Sequence, residues 1–235
     1  MNVYKTENIR NVALLGHGGS GKTTLAEAMA YTTGIITRMG NVTDGNTISD
    51  FDKEEIKRKF SINTSVVPIE FNGIKINILD TPGYFDFIGA TEEGISVCDA
   101  AVIVVNAKSG IEVGTVKAWN FCEKFSIPRL IYVTGMDDAN ADYSKVVEDL
   151  KETFGKKVAP IQVPIIEGGK FAGYVNVIRK AGRFYNKDGS YNVADVPAQY
   201  NDDLESYYDM IMEAVAETSE ELMDKYFEGE EFTFE

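Results

Sequence analysis

The chain has 235 residues and is 44% hydrophobic, enough to bury a core in one large domain or in a domain with a smaller companion. Its net charge is −14, with an acidic tail region that is a poor surface for phosphate backbones, and no apolar run is long enough to span a bilayer. The opening MNVYKTENIR lacks the apolar core of a signal peptide, so a cytoplasmic location is expected, with Cys98 and Cys122 as reduced core residues.

The charge is uneven. Residues 1–157 carry 17 Lys and Arg against 21 Asp and Glu, whereas residues 158–235 carry 6 against 16. The acidic part reads either as a solvated face or as a face that docks another protein.

Strands and helices alternate through the first two thirds. NVALLG (residues 11–16) reads as a short buried strand, and residues 23–31 as the helix after it. SVVPIEF and IKINILD flank Asn72-Gly73, a two-residue hairpin signal. AAVIVVN (residues 100–106) is apolar throughout, as a strand covered on both faces requires. TVKAWNFCEKF has helical spacing, RLIYVT is another buried strand, and DYSKVVEDLKETF another amphipathic helix. This order predicts a doubly wound, mostly parallel α/β sheet. After Gly155, short strands with glycine turns precede two acidic helices, at about 198–216 and 219–227, with Thr218 and Glu221 expected as a capping box for the second. Residues 158–235 therefore read as a smaller α+β subdomain. No internal repeat or low-complexity linker is visible.

The chemistry begins at GHGGSGKTT, Gly16 to Thr24, which fits G-x-x-x-x-G-K-[ST] between a buried strand and a helix start. There the backbone of His17, Gly18, Gly19, Ser20 and Gly21 is expected to curl around phosphates, and the helix N-terminus adds positive potential. Lys22 would reach the β- and γ-phosphates, Thr23 would bind Mg²⁺ and Thr24 would close the cradle. A glycine-rich turn matching by chance has no need of the flanking strand and helix. His17 is the only histidine, and its side chain is expected to pack or to shape the loop. Further on, ILDTPGY (residues 78–84) ends a strand in Asp80, placed to hold Mg²⁺ through water, and Gly83 can offer its N–H to a γ-phosphate. Alone this would be an ordinary Pro-Gly turn; downstream of a phosphate loop it reads as D-x-x-G.

RNVALLGHGGSGKTT, INILDTPGYFDF, IPRLIYVTGMD and KFAGYVNVIRKAGRFYNKDG, in this order and spacing, resemble bacterial elongation factor G. The likeness is greatest to the divergent elongation factor G-like branch (second elongation factor G); tetracycline-resistance-type ribosome protection proteins are more distant. ETSEELMDKYFEGEEF resembles the end of that family's insert, so the resemblance covers essentially the whole chain. It implies a P-loop GTPase fold, GTP or GDP with Mg²⁺ as ligands, and the ribosome as partner, with the acidic insert docking a ribosomal protein. Residue by residue, it implies Lys22 and Thr23 on phosphate and Mg²⁺, Asp80 behind the Mg²⁺, and Gly83 on the γ-phosphate. Ser61 falls at the Mg²⁺-binding threonine of a long switch segment, TDGNTISDFDKEEIKRKFSINTS, in which Lys59 stands where the family has glycine.

Three departures stand out. Gly19 replaces an aspartate, which removes the basis for a monovalent-cation role there. Tyr84 replaces the catalytic histidine; a phenol titrating near ~10 is a poor base, so it is expected to orient water. The base-reading Asn-Lys-x-Asp becomes Thr134-Gly135-Met136-Asp137. Asp137 can still accept from the N1–H and 2-amino groups of guanine, so guanine preference is expected beside Thr134, or else base recognition is lost altogether. Affinity should be weaker, because the absent lysine stem removes roughly 1 kcal/mol of cover and the absent asparagine removes a bracing amide.

The family's second base loop, Ser-Ala or Ser-Ala-x-Lys, and its later domains have no counterpart after Phe227. Residues 1–157 are thus expected to be a GTPase core without its last base loop, 158–235 its insert, and the whole an N-terminal piece of a longer monomeric protein that makes contact with its own C-terminal domains. The expected function is GTP binding and ribosome-stimulated hydrolysis. The alternative is a nucleotide-sensing, ribosome-binding module with little hydrolysis, and a remoter one is a P-loop ATPase or kinase.

Overall fold

A computed structural model describes residues 2–186, 189–230 and 232. Lys187 and Asp188 of the resembling KDG turn, and the end of the expected insert, lie outside the described residues. By contacts the chain forms two compact units, 1–135 and 136–235.

The first unit contains β1 (Ile9–Leu15), α1 (Lys22–Thr32), α2 (Lys53–Arg58), β2 (Ser65–Phe71), β3 (Ile74–Asp80), α3 (Ile88–Ser96), β4 (Ala100–Asn106), α4 (Val113–Phe125) and β5 (Arg129–Thr134). The sheet order is β2-β3-β1-β4-β5, with all neighbours parallel except the β2–β3 hairpin. That hairpin turns at Asn72 and Gly73, both at positive φ, as a two-residue turn demands. β2 is an edge strand, which is where Pro68 is tolerated. Leu14, Val102 and Val104 pack with Ala26 and Ala30 of α1, and α3 and α4 lie against β1 and β4. Helices on both faces explain why β4 is apolar from Ala100 to Val105. β1 is flanked by β3 and β4, which connect in opposite directions, so its C-terminal end is the topological switch point where α/β sheets bind ligands.

Both cysteines are buried and free, as expected. α2 and α3 go beyond the elements that the sequence pattern predicts. α2 sits inside the segment read as a polar loop, yet Asp52 and Glu55 form its capping box. α3 contains Gly89, Thr91 and Gly94, and no side chain caps its start.

The second unit contains α5 (Tyr143–Phe154), β6 (Gln162–Glu167), β7 (Lys170–Asn176), β8 (Ala181–Tyr185), β9 (Tyr191–Ala194), α6 (Asn201–Ala216) and α7 (Glu220–Glu228). β6 to β9 form an antiparallel sheet in chain order. Its core joins Val147 of α5 to Val163, Ile165, Val175, Leu204 and Ile211. The change of composition at 157/158 therefore lies within this unit, because α5 shares its core. The expected Thr218–Glu221 capping box is corrected. Ser219 is the N-cap and accepts from the Leu222 N–H, while the Thr218 hydroxyl turns back to the Val215 carbonyl. Among the described residues no helix is long and apolar enough to cross a membrane.

Candidate functional site

The loop between β1 and α1 is shaped by its glycines. Gly16 has φ +141°, and a Cβ there would stand 2.4 Å from the Val104 carbonyl oxygen of β4. Gly21 has φ +97° and immediately precedes α1, whose start no side chain caps. The first N–H groups of α1, together with the helix dipole, are thus available to an anion. Lys22 folds back over the loop, its Nζ donating to the carbonyls of Gly16 (3.1 Å) and His17 (2.7 Å). The Ser20 hydroxyl is buried without a partner among the described residues. Gly19 has φ +82° and open space around it, a conformation that suits glycine better than the aspartate of the resembling family.

Three residues distant in sequence converge beside this loop. The Thr23 hydroxyl donates to Asp80 Oδ2 at 2.8 Å and lies 3.2 Å from Ser61 Oγ. Two further residues join them that the motif reading does not single out. Ser49 Oγ donates to Asp80 Oδ2 (2.8 Å), and Ser61 Oγ donates to Asp50 Oδ1 (2.7 Å). Their one signal is the position of Ser49-Asp50 inside the switch segment, a stretch otherwise read only as polar. Asp80 Oδ1 and Asp50 Oδ2 are buried without partners among the described residues. Burial pushes the Asp80 carboxyl up to about 6 and the Lys22 ammonium down to about 8; their mutual attraction opposes both shifts. Desolvation also raises Asp50.

These residues fit Mg²⁺. Two hydroxyls and two carboxylates with unused buried oxygens supply the hard oxygen donors that it prefers. Among the described residues no three His, Cys, Asp or Glu side chains form a metal cage. A cation here would therefore rest partly on a ligand's phosphate oxygens, the usual arrangement for Mg²⁺.

Gly83 lies against the loop from the other side. A Cβ there would be 2.5 Å from Lys22 Nζ and 2.6 Å from the Gly18 nitrogen. Tyr84 follows, its ring over Gly18 and 4.8 Å from the ring of Phe60 in the switch segment. The His17 side chain faces α4. Its Nδ1 accepts from the Gly114 N–H (3.3 Å), which leaves the proton on Nε2, 3.5 Å from Glu112. That is the packing role expected for it. Thr24 is exposed at the start of α1.

Thr134 ends β5, and its hydroxyl donates to the Ser20 carbonyl at 2.7 Å. A hydroxyl thus braces this loop at the position where the resembling family has its asparagine. Gly135 follows with φ +70°. Asp137 belongs to the second unit, where it is exposed in the turn before α5.

Residues 7–228 match the family of the elongation factor Tu GTP binding domain. The fold matches a crystal structure of a protein from Thermus thermophilus, with a TM-score of 0.89 and 40% sequence identity. That match covers 96% of this chain and 34% of the Thermus chain, so this chain spans about a third of the protein it resembles.

Proposed function

Because the chain belongs to the elongation factor Tu GTP binding domain family of GTPases, we propose that it is the nucleotide domain of a ribosome-associated translation factor of the elongation factor G type, binding and hydrolysing GTP. The observation that carries this reading is the convergence of Thr23, Asp80 and Ser61, one residue from each of three motifs, within hydrogen-bonding distance beside Lys22.

In this reading Lys22 neutralises the β- and γ-phosphates, and the start of α1 binds phosphate oxygens through its N–H groups. Thr23 and Ser61 would hold Mg²⁺ directly, with Asp80 acting through water; when bound, the cation neutralises charge that develops on the transferring phosphoryl group. Gly83, having no side chain, can bring its N–H against the γ-phosphate. Tyr84 orients the attacking water through its hydroxyl, and positioning is where most of the catalysis in phosphoryl transfer lies. Asp137 selects guanine. α6 and α7 span residues 201–228, which carry ten acidic residues and one lysine, a complement to a basic ribosomal protein.

The alternative, a nucleotide sensor that scarcely hydrolyses GTP, is favoured by one observation: the residue after Gly83 is a phenol packed on Gly18 and Phe60. Multiple-turnover GTPase assays with and without ribosomes separate the two readings. Ribosome-stimulated turnover supports the first, and nucleotide-dependent ribosome binding without turnover supports the second. Calorimetry comparing GTP with ATP tests the base preference, and equal affinities would overturn the assignment of Asp137.

A further inference from the structure

Two buried glutamates take no part in the chemistry above. Glu27 is 2% exposed in the middle of α1, and Glu55 is 1% exposed in α2. Neither has an ion-pair partner among the described residues. A buried carboxylate is costly unless hydrogen bonds satisfy it, and here the donors are backbone N–H groups of the switch segment and of Gly40 just before it. Glu27 Oε1 accepts from Gly40 (2.6 Å) and Oε2 from Ile48 (2.8 Å). Glu55 Oε1 accepts from Ile62 (2.9 Å) and Asn63 (3.0 Å), and its Oε2 from Asp52 (3.3 Å).

The placement of these grips matters. Ile48 immediately precedes Ser49 and Asp50, and Ile62 immediately follows Ser61. Glu27 lies one helical turn after Thr23, on the same buried face of α1. The loop between the two Glu27 contacts closes on itself, with the Asn41 N–H donating to Asn46 Oδ1 at 2.7 Å. Gly40 fits because it has no side chain: a Cβ would stand 2.7 Å from Glu27 Oε1 and 2.3 Å from the Asn46 carbonyl oxygen. At the other end Lys59 adopts φ +60°, the left-handed turn that lets the chain reverse from α2 towards Ser61.

We infer that Glu27 and Glu55 are positioning residues, two buried latches that seat the 40–63 segment through its backbone and so hold Ser49, Asp50 and Ser61 at the Thr23–Asp80 cluster. Charge-assisted hydrogen bonds to backbone N–H groups are among the stronger ones available. They make no demand on the side chains at 40, 48, 62 and 63, so the segment is held by its path. The consequence for binding rests on the GTP·Mg²⁺ reading; the seating itself does not.

The test compares the 235-residue chain with Glu27→Gln and Gly40→Ala. A glutamine offers one carbonyl oxygen, and its amide nitrogen cannot accept from the second N–H. Native-state trypsin nicking at Lys53, Lys57, Arg58 and Lys59 reads opening of the segment. Calorimetry reads GTP affinity in Mg²⁺ and in EDTA, and GDP affinity in EDTA. Glu27→Gln should speed nicking about tenfold or more, the equivalent of one charged hydrogen bond. The gain in GTP affinity on adding Mg²⁺ should fall by a similar factor, with GDP affinity in EDTA unchanged. A purely structural role would weaken every nucleotide alike. Gly40→Ala should reproduce the pattern with α1 untouched, and it decides the matter if Glu27→Gln does not fold. Wild-type nicking in both variants overturns the inference, as does equal loss of GTP and GDP binding. If the wild-type chain fails to bind GTP·Mg²⁺, the function proposed above falls while the nicking comparison still judges the latches.

Discussion

The contact of Tyr84 with Gly18 makes a quantitative prediction. A Cβ at position 18 would lie 2.8–3.0 Å from three atoms of the Tyr84 ring, inside any real carbon contact. Gly18 has no positive φ, so alanine brings no backbone strain, and the atoms nearest its Cβ are those of this ring. The ring is 44% exposed and can swing outward, losing its packing on Phe60 at 4.8 Å. Tilted aromatic pairs of this kind are worth about 0.5–1.5 kcal/mol beyond area. Gly18→Ala should therefore destabilise the wild type by about 1 kcal/mol. In a Tyr84→Ala background the same change should be neutral or stabilising by up to about 1 kcal/mol, since it only stiffens the unfolded chain. The double-mutant cycle, measured by urea denaturation, should give a coupling of about 1–2 kcal/mol. On the function proposed above, the ribosome-stimulated GTPase rate should fall in Gly18→Ala, because the displaced ring would carry its hydroxyl away from the attacking water. A coupling below about 0.5 kcal/mol, the scatter of independent sites, would refute the idea that glycine at 18 exists to seat the tyrosine.

Four further outcomes are expected. Lys22→Ala should abolish GDP and GTP binding in calorimetry, because its ammonium is the cation that the loop folds around; unchanged GDP affinity in the folded variant would exclude the phosphate-site assignment. Tyr84→Phe should lower the stimulated rate and Tyr84→His should raise it, and a Tyr84→Phe enzyme at wild-type speed would remove the hydroxyl from the mechanism. Thr134→Val should weaken GDP binding about five- to 150-fold by leaving the Ser20 carbonyl unbraced, an effect of about 1–3 kcal/mol; Thr134→Asn should retain the brace, and equal binding by all three proteins would show that it is dispensable. Burial holds the Cys122 thiol up at about 11, above its usual 9.0; below pH 9 it is neutral both folded and unfolded, and stability should fall by about 3 kcal/mol as pH climbs from 9 to 11 and only the unfolded chain ionises, a loss that Cys122→Ala should reduce in alkaline denaturation.

Much of the first unit can be read from residues alone, because its signals are local. Apolar runs place β1, β4 and β5, Asn72-Gly73 places the hairpin, and the phosphate loop announces itself by glycine spacing. α3 is hidden because its glycines and threonine weaken helical propensity, and packing against β1 and α4 overrides that. α2 carries a readable Asp-x-x-Glu capping box, obscured by a surrounding segment without apolar periodicity. Of the site, Lys22, Thr23, Asp80 and Ser61 are legible because each belongs to a motif. Ser49, Asp50, Glu27 and Glu55 are not. Their roles depend on which backbone groups the folded switch segment brings to them, and no spacing rule encodes that. Thr134 looks like a loss when only residue identities are compared. The structure shows the Thr134 hydroxyl bracing the phosphate loop through the Ser20 carbonyl.

The pattern of charges explains why so much of the chain is devoted to holding this segment. Asp80 is raised by burial, so its ionised form costs stability once pH exceeds about 4, reaching the order of 3 kcal/mol near neutrality. Lys22 is lowered by burial, and its charged form costs a comparable amount at every pH below about 8, a cost that fades as pH rises towards its usual 10.5. At neutral pH the site therefore holds opposite charges that neither satisfy one another fully nor reach water, together with oxygens on Asp50 and Asp80 that find no partner among the described residues. On the function proposed above, a triphosphate with its cation would bring the missing partners for both signs at once. Left alone, the same charges favour opening of the segment that buries them. Backbone latches at Glu27 and Glu55 oppose that opening at points away from the phosphates. The segment can then be seated before its ligand arrives, and the binding energy of the ligand is not consumed in ordering it.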